Sequence, residues 1–128
     1  MSERCFLTGA QSGMWYAQQL DPENPTYNAA EYLEIQGAID PELFETALRR
    51  TVMEAEALHL RFDQDEKGLY QMIEPSEDWP LHRFDLRGEP NPRAAALAWM
   101  KEDLNRPVDL RRGPLFTQAL FRVADDRF

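Results

Sequence analysis

The chain has 128 residues, 43% of them hydrophobic and 29% charged, with seven Phe, four Tyr and three Trp: enough apolar material for one folded core and too much for a disordered segment. Acidic residues outnumber basic ones 23 to 14, and the formal charge of -9 repels phosphate backbones and anionic lipid surfaces, so neither nucleic acid nor a membrane is expected as a partner. Cys5 is the only cysteine, which excludes an internal disulfide; with no basic start leading into an apolar run, a cytoplasmic location is expected.

In chain order, Ala10 to Leu20 predicts a short helix with Met14, Trp15 and Leu20 on one side, ended by Asp21-Pro22. Asp21 to Thr26 reads as a loop, and Tyr27 to Ile35, free of Gly and Pro until Gly37, reads as a strand. Asp40-Pro41 supplies a cap and a first-turn proline, so a helix starts there. Phe44, Leu48, Val52, Ala55 and Leu58 form its buried stripe. His59 to Asp63 and Leu69 to Ile73 flank the polar turn Asp65-Glu66-Lys67-Gly68 and predict a hairpin.

Trp79 to Leu86 gives a further strand, with Leu81 and Arg83 on one face and His82 and Phe84 on the other. Asn91-Pro92 repeats the cap-and-proline start and opens a helix that ends before Pro107. Leu115 to Val123 is apolar on both faces and predicts a buried strand. Helices interspersed with strands and hairpins predict an α/β chain with a mixed sheet and a single lobe.

Five stretches carry a family resemblance, in order. Leu7-Thr-Gly-Ala-Gln-Ser-Gly-Met-Trp15 resembles the first core motif of condensation domains from nonribosomal peptide synthetases, Ser-x-Ala-Gln-x-Arg/Gly-Leu/Met-Trp. Tyr27-Asn28 matches a pair that follows it, and Glu56-Ala-Leu-His-Leu-Arg-Phe62 resembles the second core motif, His-Glu-x-Leu-Arg-Thr-x-Phe. Arg106-Pro-Val-Asp-Leu110 and Gly113-Pro-Leu-Phe116 resemble two later segments. Within the family the likeness is greatest to the N-terminal condensation domain of bacillibactin-type siderophore synthetases, which the start at Met1 suits.

The resemblance implies that residues 1-128 are the incomplete N-terminal lobe of a chloramphenicol-acetyltransferase-like condensation domain. It implies amide formation between an acyl thioester and an aminoacyl amine, in siderophore biosynthesis, with an aryl donor and a glycyl acceptor. The implied partners are donor and acceptor carrier domains bearing phosphopantetheine, together with the rest of the condensation domain and synthetase. No cofactor is expected on this chain itself.

The family's catalytic motif, His-His-x-x-x-Asp-Gly, does not occur here: His59 and His82 are the only histidines, and neither precedes a second His. No catalytic residue is therefore assigned, and the chain alone is expected to be inactive. The resemblance offers Gln11, Trp15, Tyr27, Asn28, His59 and Arg61 as residues that line the substrate channel or support the motif. Arg61 is the first choice as partner of the motif aspartate and His59 the second, because the usual Arg-Thr pair reads His59-Leu60.

Competing chemistries find less support. Ser12 lacks the first glycine of a nucleophile elbow, since Ala10 stands there. The two histidines have no cysteine partners and no i, i+4 spacing, so no metal is expected. The alternative functions are a non-enzymatic fragment that docks a carrier or a neighbouring synthetase domain, and a coenzyme A-dependent acyltransferase relative.

Overall fold

A computed structural model describes residues 4–128; Met1, which carries the expectation of an N-terminal module, lies outside the described residues. Thr8 starts α1 (Gly9–Leu20): its hydroxyl accepts from the Gln11 N–H at 3.2 Å while the Gln11 side-chain oxygen accepts from the Thr8 N–H at 2.8 Å. This reciprocal pair satisfies two donors at the helix start. Only Trp15 of the expected apolar side is buried, whereas Met14 and Leu20 are exposed.

Asp40 caps α2 (Pro41–Glu54), accepting from the backbone N–H groups of Glu42 at 2.9 Å and Leu43 at 3.1 Å. The helix does not run on to Leu58 as its periodicity predicts. It stops at Glu54, and Glu56–His59 forms a single 3-10 turn that carries Leu58 separately. The last-turn carbonyl of Val52 is taken from outside the helical ladder, by the His59 ring at 2.9 Å and the Ala55 N–H at 3.1 Å.

The predicted hairpin forms from β2 (Leu60–Asp65) and β3 (Gly68–Ile73), with Asp65 opposite Gly68. The Lys67 N–H donates to the Asp65 carboxylate at 2.8 Å, and Gly68 takes a positive φ of 119° that closes the turn. A strand without a sequence signal, β1 (Arg4–Phe6), adds to the other edge of β3, giving the antiparallel order β1-β3-β2.

The second sheet is parallel: β4 (Leu81–Asp85) pairs with β5 (Gln118–Arg122), with α3 (Pro92–Leu104) between them in sequence. Both strands are shorter than predicted, β5 because the chain is still leaving the Gly113–Pro114 turn at Leu115. The predicted alternation on β4 is observed. His82 and Phe84 meet Trp99 of α3 at 5.2 and 5.4 Å between ring centroids, while Arg83 pairs with Glu42 and Glu45 of α2. β4 thus lies between the two helices, and Phe121 of β5 completes the aromatic cluster at 5.2 Å from Phe84 and 5.5 Å from Trp99.

The strand expected over Tyr27 to Ile35 does not form. Residues 29–35 are in no named element, and only the end finds a partner: Ile35 and Phe128 exchange backbone hydrogen bonds of 2.7 and 2.9 Å, and the Gly37 N–H donates to the Asp126 carbonyl. A strand is defined by its neighbour, and apolar alternation cannot supply one. Leu33 is accordingly 79% exposed.

Candidate functional site

The second-motif residues sit where α2 ends and β2 begins. His59 is 2% exposed, and both ring nitrogens are engaged: Nε2 with the Val52 carbonyl at 2.9 Å and Nδ1 with the Ser76 N–H at 3.4 Å. An accepting Nδ1 and a donating Nε2 together describe the neutral Nε2–H tautomer. His59 is therefore a tie between α2 and the chain after β3, with no lone pair left for substrate.

Arg61 differs in keeping donors unused. It is 8% exposed, its Nη1 donates to the Leu60 carbonyl at 2.7 Å, and among the described residues no carboxylate pairs with it. Its guanidinium lies against Gly113, where a Cβ would overlap Cζ, Nη1 and Nε. A buried cation without a counter-charge is costly, so this guanidinium calls for an anionic partner. Of the two candidates, His59 has both ring nitrogens engaged, whereas Arg61 keeps donors without a partner among the described residues.

The turn that carries Gly113 is fastened to β2. The Asp109 carboxylate accepts from the backbone of Arg111 at 2.9 Å and Arg112 at 3.1 Å, and the Gly113 N–H donates to the Asp109 carbonyl at 2.8 Å. Phe62 donates its N–H to the Leu110 carbonyl at 2.9 Å, and Arg111 Nε meets Asp63 at 2.9 Å. The Asp63 carboxyl is held below its ordinary pKa, first by the Gln64 backbone N–H and then, against partial burial, by Arg111 and the Tyr70 hydroxyl.

Arg111 also stands over the ring of Trp15, with Cζ 5.1 Å from the centroid. Trp15 is 1% exposed, and its Nε1–H has no partner among the described residues. Gln11 turns its amide to Gln71 of β3, donating at 2.9 Å, and Gln71 in turn donates to the Phe6 carbonyl at 3.1 Å. The first motif thereby fastens α1 onto the first sheet.

Tyr27 and Asn28 do not join this group. Asn28 donates to the carbonyls of Leu104 at 2.9 Å and Arg106 at 2.7 Å, tying its loop to the open C-terminal end of α3. Tyr27 is half exposed beside a shallow depression lined by Ala17, Gln18, Asp21, Asn24 and Thr26. His82, the other histidine, packs between Phe84 and Trp99.

Asp63, Gln71, Asp109, Arg111 and Gly113 complete the constellation, and sequence reading assigned none of them a role. The available signal was that Asp109 and Gly113 lie in the two later segments that resemble the family. Among the described residues, no group of three or more His, Cys, Asp or Glu gathers at metal-binding distance. No helix among them is long and apolar enough to cross a membrane.

This geometry defines a mixed α/β lobe in which the Asp109–Gly113 turn is fastened beside a buried guanidinium on β2. The family model described as the condensation domain matches residues 1–128, and the chain belongs to that family. It is 57% identical over 122 residues to a dimodular nonribosomal peptide synthase of Bacillus subtilis (strain 168), covering 95% of this chain and 5% of that protein. An isonitrile lipopeptide synthase of Streptomyces coeruleorubidus is 49% identical, with coverages of 100% and 9%. Enterobactin synthase component F of Escherichia coli (strain K12) is 31% identical, with coverages of 100% and 10%.

The starter condensation domain of rhizomide synthetase RzmA, a crystal structure, superposes with a TM-score of 0.92 at 44% identity, covering 98% of this chain and 31% of that one. An R148A mutant of that domain has been solved in complex with C8-CoA. The chain thus spans about a tenth or less of these curated relatives' lengths and about a third of the solved domain.

Proposed function

We propose that this chain is the N-terminal part of a nonribosomal peptide synthetase condensation domain, which joins a carrier-bound acyl thioester to a carrier-bound aminoacyl amine. The observation that carries the reading is the family match along all 128 residues. In the reaction the amine nitrogen attacks the thioester carbonyl, a C–N bond replaces the C–S bond, the amine gives up a proton and the carrier thiol leaves. A base must take that proton and the developing oxyanion must be stabilised.

Neither histidine is assigned as that base: His59 has both nitrogens engaged, and His82 is followed by Arg83 and so is not part of a His-His-x-x-x-Asp-Gly motif. The base comes from outside these 128 residues, and the chain alone is inactive. Its own contribution is scaffold: Arg61 supports the catalytic motif, and Gln11, Trp15 and Asn28 fix the elements around it, with Tyr27 the candidate nearest the surface. The phosphopantetheine arms arrive on the carriers, and no residue here is assigned to hold them. The setting proposed is a cytoplasmic synthetase.

In finer terms we propose siderophore assembly, with an aryl donor and a glycyl acceptor. Enterobactin is a siderophore, and its synthase component F is among the relatives. A second reading takes the donor from coenzyme A, favoured by the C8-CoA complex of the starter domain at 44% identity. The test supplies the longer condensation domain containing this chain with a glycyl carrier and, in parallel, an aryl-loaded carrier or octanoyl-CoA, reading the amide by mass spectrometry. The aryl amide is expected to dominate. Product from octanoyl-CoA alone overturns the siderophore reading, and no amide from either donor overturns the condensation reading for these substrates.

A further inference from the structure

We infer that Gly113 is a positioning residue, acting through Arg61: its bare Cα surface is the wall that fixes the plane of a buried guanidinium and leaves the Nε–Nη2 edge free to grip a carboxylate. The inference rests on the reading of the chain as part of a condensation domain for the purpose of that grip. The contact itself is independent of it.

Three observations converge. Gly113 has φ +57°, a backbone state that favours glycine, and a Cβ there would lie inside the guanidinium. Among the described residues Arg61 makes a single hydrogen bond, through Nη1, so Nε and Nη2 remain as two parallel donors of the kind that a carboxylate takes in a fork. The Asp109–Gly113 turn cannot drift from β2, because the two residues after Arg61 each hold it: Phe62 through Leu110 and Asp63 through Arg111. Glycine at this place thus serves the side chain it faces as well as its own φ.

Two measurements test this. In the 128-residue chain, thermal melting of wild type, Gly113→Ala, Arg61→Ala and the double variant forms a cycle. Gly113→Ala is expected to lower the midpoint by at least about twice as much when Arg61 is present, since only backbone strain remains once the guanidinium is gone. Equal drops in both backgrounds overturn the contact. Should Gly113→Ala fail to fold, the double variant is expected to regain a cooperative melt, and its failure to do so also overturns it.

In the longer condensation domain, Gly113→Ala is expected to lower kcat for amide formation about ten- to a hundredfold, with KM for both carriers held within about twofold. In an Arg61→Ala background, the same change should lower kcat no further. Independent, multiplicative losses would overturn positioning through Arg61. A wild-type domain that makes no amide at all defeats the condensation reading instead, and the melting cycle still decides the contact.

Discussion

β2 and β5 are strands of similar length, yet they are held by different kinds of contact. β2 is fastened by directional polar pins: the Phe62 N–H to Leu110, Asp63 to Arg111, and the His59 ring just before it to Val52 and Ser76. β5 is held by area, with Leu120 and Phe121 buried and Phe121 set between Phe84 and Trp99. Aromatic burial is worth several kcal/mol but tolerates small shifts, whereas each hydrogen bond is worth about 1 kcal/mol and fixes direction. The β5 side therefore supplies stability, and the β2 side supplies alignment where the motif residues stand.

The sharpest way to break that contrast is at its apolar pole. Phe121→Ala should cost about 3–5 kcal/mol, read from urea unfolding, because it opens a cavity against the rings of Phe84 and Trp99. A cost below about 1 kcal/mol would mean that the aromatic cluster does not carry the sheet.

At the polar pole, His59→Ala should cost about 1–3 kcal/mol by leaving the Ser76 N–H without its acceptor and the Val52 carbonyl with only the Ala55 N–H. A loss equal to that of Phe121→Ala would erase the distinction between the two sides.

Asn28→Ala tests a polar pin nearer the surface and should cost about 1 kcal/mol or less, with faster amide exchange confined to the 22–28 loop. Uniformly faster exchange across α3 would show that the pin matters to the whole lobe.

The smallest effect is electrostatic. Arg87 holds the Asp85 carboxyl at about 2, below its ordinary value, through side-chain hydrogen bonds and its backbone N–H. A depressed carboxyl stabilises the fold above its unfolded pKa, and the benefit disappears as the pH falls from about 4 to about 2. Because the pair is exposed, the loss should be small and screened by salt, and Asp85→Asn should remove that part of the acid transition. An acid midpoint unchanged in the variant would contradict this role.

How much of this was legible in the sequence follows the same divide. The helix starts at Asp40-Pro41 and Asn91-Pro92, the β2–β3 hairpin and the two faces of β4 depend on neighbours a few residues away, and all were read correctly in kind. β1, the failed strand before Ile35 and the early stop of α2 depend on partners distant in sequence: β3, Phe128 and the His59 ring. At the site, the sequence pointed to Arg61 and His59 but not to their neighbours, because Gly113 and Ser76 reach them only through the fold. The capping role of Gln11 was not read, although the Thr8-x-x-Gln11 spacing that makes it was visible in the sequence.

The most direct test of the central claim, that this lobe aligns a catalyst it does not contain, is amide formation by the 128-residue chain supplied with aryl-loaded donor and glycyl-loaded acceptor carriers, beside the longer condensation domain under the same conditions. The expected result is product from the longer domain and none above background from the chain. Turnover by the chain alone, lost on substitution of His59 or His82, would contradict it.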